Sequence, residues 1–187
     1  EPPWLRESGS TTRRLMRYDW QIRDEENNLH LALPNIPLTG IRCVVKEGGL
    51  IEDVLQTFGI RRLEGIKQLG GLHDPIIKGY FPLVGLGFPH ARLCHVLEVS
   101  VVIALILWNN NASRIEMQNG RAAALSHDVL TPAGGDTTKL VDPEGFDEDL
   151  HYPEFLDSLD WSELGKKYGL SRELLIDAVQ GRGLLGK

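Results

Sequence analysis

The sequence predicts a mainly all-α fold with a short β-hairpin or an extended arm at its N-terminal end. From Gly49 onward the apolar residues follow helical spacing, and residues 96–108 are almost wholly apolar, as in a helix buried on all sides. Residues 31–45 contain two prolines and a glycine before a short β-branched run, which predicts a loop followed by a strand or hairpin.

The composition is that of an ordinary globular domain. The chain has 187 residues, 42% of them hydrophobic and 25% charged, with a net charge of -6. That charge argues against nucleic acid as a partner, because bulk electrostatic binding needs excess positive charge. Two cysteines give no disulfide framework, and no secretory leader pattern is visible, so we expect a cytoplasmic protein. Residues 96–108 are too few for a bilayer span, and we expect no membrane contact.

The chain divides near residue 48. Residues 1–48 are predicted to form an arm with a possible hairpin, and residues 49–187 a helical core. The arm carries Arg13, Arg14 and Arg17, which suit either a contact to an anion or a second copy of the chain, or simply a solvated basic segment.

The first helices of the core are predicted on either side of Gly59. One covers residues 50–58, and a second covers residues 61–69 and ends at the following glycine pair. Residues 72–89, rich in proline and glycine, are predicted to be a shaped loop.

A long core helix is predicted to begin near Ala91 and to end at residues 109–111. A strand over residues 101–107 remains an alternative, because periodicity alone does not separate a buried strand from a buried helix. The helical interpretation places Arg92 and His95 one turn apart on one face. The next helix is predicted over residues 121–129.

Residues 142–163 carry nine acidic side chains and no lysine or arginine, which is typical of a solvated loop or lid; a charged gate over a pocket is the alternative. Two short helices are predicted after it. One is capped by Asp160, with Glu163 three residues later, and the other runs from Ser171 to Gly181.

Polar side chains are concentrated at two points of the apolar core. His90, Arg92 and His95 open the long helix, and His127 with Asp128 closes the next one. Imidazole and carboxylate groups together are the ligands of divalent metals in hydrolases. The sequence therefore predicts a metal site, provided the two helices cross.

Three stretches that span roughly the middle third of the chain form an ordered set. They are Arg62-Leu63-Glu64-Gly65-Ile66-Lys67-Gln68-Leu69-Gly70, Gly87-Phe88-Pro89-His90-Ala91-Arg92-Leu93-Cys94-His95-Val96-Leu97-Glu98-Val99 and Ala124-Leu125-Ser126-His127-Asp128. In this order they resemble the motifs of the HD-domain phosphohydrolases, and within that superfamily most closely those of the deoxynucleoside triphosphate triphosphohydrolases.

The resemblance implies an all-helical HD-domain bundle and a bound divalent ion, whether Mn, Fe, Mg, Ni or Zn. His95, His127 and Asp128 would be its ligands, and Asp128 would also be catalytic. The resemblance implies hydrolysis of a nucleotide, above all a deoxynucleoside triphosphate, or of another phosphate ester. A homo-oligomer is also possible.

The resemblance assigns the substrate contacts as well. Arg92 would hold a phosphate, while Gln68 and Leu69 would border the nucleoside end of the pocket. His90 would either lie next to the metal ligands, or line the tunnel for the phosphates, or face solvent at the start of the helix. Glu98 suits either the orientation of a ligand imidazole or a buried partner for an arginine.

The sequence also departs from the family pattern. Thr131 and Asp136 stand where the family has histidines. His151 is then a candidate replacement for a family histidine, and Asp136 is a candidate acid or additional metal ligand. The family's last aspartate ligand would fall at or just beyond Lys187, so we expect a core truncated before that helix or a three-ligand site. Asp177 could substitute only with unusual geometry.

Two alternative functions remain, the first from these departures and the second from the resemblance of residues 162–179, with their Gly-Leu-Ser turn, to a helix-turn-helix. One is a degenerate HD domain that binds a nucleotide or a protein partner without turnover. The other is a helix-turn-helix DNA-binding unit at residues 162–179, which Glu173 and Asp177 in its second helix argue against.

Overall fold

The structure is a computed structural model, and its described part is mainly helical. It describes residues 49–66 and 91–183, apart from the side chains of residues 136 and 137, and the backbone of four strands nearer the N-terminus. Six α-helices lie in the described part: α1 Leu50–Thr57, α2 Arg92–Asn109, α3 Arg114–Ser126, α4 Glu148–Asp157, α5 Ser162–Tyr168 and α6 Arg172–Val179. The predicted all-α character is confirmed, whereas the HD-domain assignment remains a prediction.

The four strands form an antiparallel sheet in the N-terminal part. They are β1 Leu5–Arg6, β2 Gln21–Arg23, β3 Leu29–Ala32 and β4 Arg42–Val45, in the order β1-β4-β3-β2. β3 and β4 pair with Leu31 opposite Cys43, so the predicted hairpin is present. The arginines at positions 13, 14 and 17 and the loop at 72–89 lie outside the described residues.

The region predicted as two α-helices on either side of Gly59 contains one α-helix and one 3-10 helix. Gly59 has a left-handed φ of 64°, which separates α1 from a 3-10 helix at Ile60–Gly65. The second helix is therefore shorter than predicted, because Ile66 is already extended and its carbonyl accepts a hydrogen bond from the Arg92 N–H at 2.8 Å. This bond joins the segment to the start of α2.

α2 is the central helix, and the strand alternative for residues 101–107 is wrong. It packs most extensively against α3, to which a short turn connects it. By length and composition α2 could cross a membrane, but half of the stretch is buried inside the protein. Arg92 and Glu98 are buried on α2 as well, which suits a core helix.

α3 begins seven residues earlier than predicted, at Arg114 rather than Arg121. Its start is a capping box: the Glu116 N–H donates to Ser113 Oγ, and the Ser113 N–H donates to Glu116 Oε2 at 2.6 Å. At the other end the helix closes at Ser126, so His127 is its C-cap and Asp128 lies in the following turn.

The acidic stretch is not simply a loop, because α4 lies within it. Asp147 caps α4, its Oδ1 accepting from the N–H groups of Asp149 and Leu150. Acidic side chains in a first helical turn are favourable near the positive end of the helix dipole. Pro153 lies inside α4 and has no N–H to donate to the Asp149 carbonyl four residues earlier. Gln180 Nε2 donates to that carbonyl instead, at 2.8 Å.

α5 and α6 follow as predicted, with small shifts at their ends. Asp160 Oδ1 accepts from the Ser162 N–H, and Ser171 Oγ accepts from the Leu174 N–H. Gly169, with a φ of 68°, makes the turn between the two helices. α6 ends at Val179, two residues before Gly181.

Candidate metal centre

The two helices cross so that three predicted ligands converge. His95 lies in the first turn of α2, and His127 and Asp128 lie at the C-terminal end of α3. One ligand atom of each residue lies within 4.8 Å of the other two. The Nε2 atoms of His95 and His127 are 3.7 Å and 3.5 Å from Asp128 Oδ2.

These separations suit a small divalent ion. Two ligand atoms each about 2.1 Å from a tetrahedral ion lie about 3.4 Å apart. Asp128 Oδ2 is buried and accepts no hydrogen bond of acceptable geometry from the described residues, although Arg92 lies beside it. A buried carboxylate oxygen of this kind gains most from a cation. The residues present therefore fit a metal ion.

The imidazole of His127 is oriented by its own helix. Its Nδ1 lies 2.8 Å from the carbonyl oxygen of Ala124, an acceptor only, so Nδ1 carries the proton in this bond. Nε2 then keeps its lone pair and faces Asp128. The rings of His95 and His127 meet edge to face, with centroids 5.4 Å apart and an interplanar angle of 67°.

Arg92 brings a guanidinium into direct contact with the centre. Its Nη1 lies 2.7 Å from Asp128 Oδ2, and the two side chains are 6% and 9% exposed. The phosphate role that the resemblance implies for Arg92 remains a prediction, and the observed contact of Arg92 is with Asp128. The guanidinium also balances the carboxylate, which would otherwise be a buried uncompensated charge.

Arg62 fixes the turn that carries Asp128. Its guanidinium donates to the carbonyl oxygens of Val129 and of Thr131, the latter at 2.9 Å. Sequence reasoning placed Arg62 in the first motif but gave it no role, because its partners lie 67 and 69 residues away. The ordered spacing of the first and third motifs was the signal that the two segments meet.

Thr131, which stands where the HD-domain motif that the sequence resembles has a histidine, makes a buried hydrogen bond within the protein. It is fully buried, and its Oγ1 donates to Glu148 Oε1 at 2.8 Å. Lys139 pairs with the second oxygen of Glu148. Thr131 therefore ties the turn after Asp128 to the start of α4, and its hydroxyl is engaged by a carboxylate.

A second buried hydrogen bond supports the end of α3. Ser126 Oγ donates to the Ala122 carbonyl at 2.8 Å and lies 2.5 Å from Tyr152 Oη, which leaves the tyrosine as the donor in that pair. Burial raises the pKa of Tyr152, so its hydroxyl keeps its proton. α4 is thus fastened to the residue that precedes His127.

The acidic segment also brings Asp149 within electrostatic reach of His127. Burial, followed by the charges of Asp147 and Glu148, raises the pKa of Asp149, while Lys139 and His127 oppose the rise. Sequence reasoning gave Asp149 no role, because it was one of many acidic residues in the stretch.

Two of the other predicted residues, His151 and Asp177, lie in the described part and are not in the group. His151 is exposed on α4, where Nδ1 lies 3.1 Å from Glu154 Oε2 and Nε2 lies 3.2 Å from the Glu144 carbonyl oxygen. These two partners raise the pKa of His151. Asp177 pairs with Arg182 at 3.4 Å and is not one of the grouped ligands. His90, Gln68, Leu69 and the Asp136 side chain lie outside the described residues.

Cys94 stands next to His95 but is not part of the donor set. It is a free, buried thiol, and burial followed by the charge of Glu98 raises its pKa to about 12. A thiol ligates metal as the thiolate, which this environment disfavours. The centre is therefore a histidine and carboxylate site.

Comparisons with known proteins find no match: no protein-family model, no curated protein and no solved structure is significantly similar to this chain.

Proposed function

We propose that the chain is a metal-dependent phosphohydrolase of the HD superfamily. The observation that carries the proposal is the convergence of His95, His127 and Asp128, from two helices, on one gap of the size of a cation. Arg92 beside that gap supplies the positive charge that a phosphate needs. The motif resemblance favours a nucleotide, above all a deoxynucleoside triphosphate, as the substrate.

The geometry suits hydrolysis without a covalent intermediate. A divalent ion bound here would lower the pKa of a water molecule toward neutrality and polarise a phosphoryl oxygen. In the reaction, water oxygen forms a bond to phosphorus, the ester P–O bond breaks, and a proton passes to the departing oxygen. Arg92 would neutralise charge that develops on the phosphoryl group, while Ala124 keeps His127 Nε2 aimed at the gap.

A second candidate function is a degenerate domain that binds a nucleotide or partner without turnover. Two observations favour it: the Thr131 hydroxyl donates to Glu148, and the ring nitrogens of His151, which is not in the ligand group, face Glu154 and the Glu144 carbonyl. Neither residue is then placed to transfer a proton. Metal binding with no phosphate release from any substrate is the result that this alternative expects.

A DNA-binding role for α5 and α6 is the least supported. Gly169 does make a turn between them, but the nearby lysines are already paired. Lys166 contacts Glu163 at 2.9 Å, and Lys167 contacts Asp53 at 2.7 Å. These pairs reduce the positive charge on which phosphate binding depends.

The test is metal analysis combined with phosphate release. The purified chain is incubated with each of the five divalent ions, dialysed and assayed for bound metal, then offered a panel of nucleotides. We expect one ion per chain, and loss of both binding and turnover in His127→Ala and Asp128→Asn. His151→Ala is the matched control and should bind metal normally. Absence of bound ion, or an equal loss of metal binding in the control, would contradict the proposal.

A further inference from the structure

A mostly apolar groove lies along the seam between α2 and α3 and shares one residue, His127, with the candidate metal centre. Its volume is about 790 Å³, within the usual range for sites that enclose a small organic molecule. α6 closes one side of it. Its lining includes Val99, Ile103 and Leu107 from α2, Ala124 and His127 from α3, and Val179 from α6.

The groove and the centre share the same helix faces. Val99, Ile103 and Leu107 follow His95 at four-residue intervals, so all four lie along one stripe of α2. His127 belongs to both, because its Nε2 faces Asp128 and its ring lines the groove. With a rise of 1.5 Å per residue, the stripe from His95 to Leu107 is about 18 Å long. A molecule anchored at the centre therefore has an elongated apolar surface beside it.

The lining is mostly aliphatic, with His127, Glu116, Asn110 and Asn111 as its polar residues. Small side chains of α3 form one wall and branched aliphatic side chains of α2 the other. Glu116 is the one charged residue among the lining residues, and its Oε2 accepts from the Ser113 N–H. Neither lysine nor arginine is among them, so this groove does not suit a polyphosphate.

We infer that the groove holds the organic group of the substrate, and that this substrate is a phosphate monoester of an elongated apolar alcohol. The inference rests on the proposed function, since the phosphate end is placed at His95, His127 and Asp128. Burial of the alkyl chain supplies affinity that grows with length, while the ester oxygen lies at the His127 end. On this point the inference departs from the nucleotide that the motif resemblance favours, because the aliphatic side chains of the lining offer few partners to the hydrogen-bonding atoms of a nucleoside.

The test measures binding of butyl phosphate, octyl phosphate and a deoxynucleoside monophosphate to the metal-loaded chain by calorimetry. Each methylene transferred to an apolar site adds about fourfold in affinity, so octyl phosphate should bind at least about tenfold more tightly than butyl phosphate. It should also bind more tightly than the nucleotide. Equal affinity of the two alkyl phosphates, or preference for the nucleotide, would overturn the inference.

Two variants locate the effect. Ile103→Trp fills the groove and should remove the preference for the longer chain, whereas Val102→Trp, on the neighbouring exposed position, should keep it. Ile106 lines the groove and is 50% exposed, so Ile106→Glu tests the same point with a substitution that the fold tolerates if Ile103→Trp fails to fold. Preference retained in a folded groove variant would overturn the assignment.

A separate experiment distinguishes a soluble phosphate ester from the same group presented on a lipid surface. Vesicles containing a phosphatidic acid present the same phosphate monoester at a lipid surface. Binding of soluble octyl phosphate without vesicle binding supports the assignment to a soluble ester, whereas binding of vesicles alone overturns it. The two proposals have separate tests. A chain that binds no metal contradicts the proposed function, whereas the dependence of affinity on alkyl chain length tests the groove alone.

Discussion

Asp128 Oδ2 and Arg92 Nη1 lie 2.7 Å apart in the interior of the protein, with the two side chains 9% and 6% exposed. The pair joins the first turn of α2 to the turn after α3. A metal ion bound by Asp128 would share that carboxylate with the guanidinium of Arg92. Stability of the metal-free chain should therefore depend on Arg92 more than stability of the metal-bound chain.

Replacement of Arg92 tests this dependence. Arg92→Gln leaves the Asp128 carboxylate buried without its cation, which should lower the free energy of unfolding by about 3–5 kcal/mol in the presence of a chelator. With a bound divalent ion the loss should be smaller, because the ion compensates the charge. Urea unfolding with and without metal measures both values. Arg114→Gln, at an exposed position, is the control. Equal losses with and without metal would show that Asp128 does not face the ion.

Asn119 links α3 to the turn before α6. The side chain is fully buried, donates to the carbonyls of Ile115 and Gly169, and accepts from the Ser171 N–H at 2.8 Å. Asn119→Ala removes these bonds and leaves the Gly169 carbonyl and the Ser171 N–H without that partner. We expect a loss of about 2–4 kcal/mol in urea unfolding. Gln118→Ala, one position away on the same helix, should cost less than about 1 kcal/mol; a comparable loss there would argue against a specific role for Asn119.

The sequence predicted the three candidate ligands, but it did not predict the contacts that hold them in place. His95, His127 and Asp128 were identified because they lie on apolar helices in motif order, and their convergence needs only that two antiparallel helices cross. The Arg62 bonds to Val129 and Thr131 span 67 and 69 residues, and no local pattern shows such a contact. The role of Thr131 was hidden for the same reason.

Helix boundaries show the same limit at shorter range. The start of α3 was placed at Arg121, because the polar residues before it mask the apolar periodicity. The capping box of Ser113 and Glu116 was readable in the sequence and marks the start correctly. The sequence analysis does not predict α4, because the segment is acidic and contains Pro153. The hydrogen bond that Pro153 cannot make is replaced by one from Gln180, the residue that follows α6.

The titration of His151 should report its local contacts. Its pKa is raised by Glu154 and by the Glu144 carbonyl. A raised pKa in the folded state means a contribution to stability that is fully present below the unfolded value, about 6.5, and is lost as the pH rises through the folded value. A proton NMR titration of the ring should show a pKa above that of a free histidine, and Glu154→Gln should lower it. A titration unchanged by this substitution would contradict the contact.

The contact between Gln180 and α4 should depend on Pro153. In the parent chain Gln180→Ala leaves the Asp149 carbonyl without its side-chain donor, and we expect a loss of about 0.5–1 kcal/mol. In a Pro153→Ala background the restored N–H can donate to the same carbonyl, so Gln180→Ala should cost measurably less. The difference between the two losses is a coupling free energy, from which the effect of proline on the unfolded chain cancels. Urea unfolding of the four proteins gives it directly. An identical cost of Gln180→Ala in both backgrounds would mean that Gln180 stabilises α6 on α4 by packing, independently of the proline.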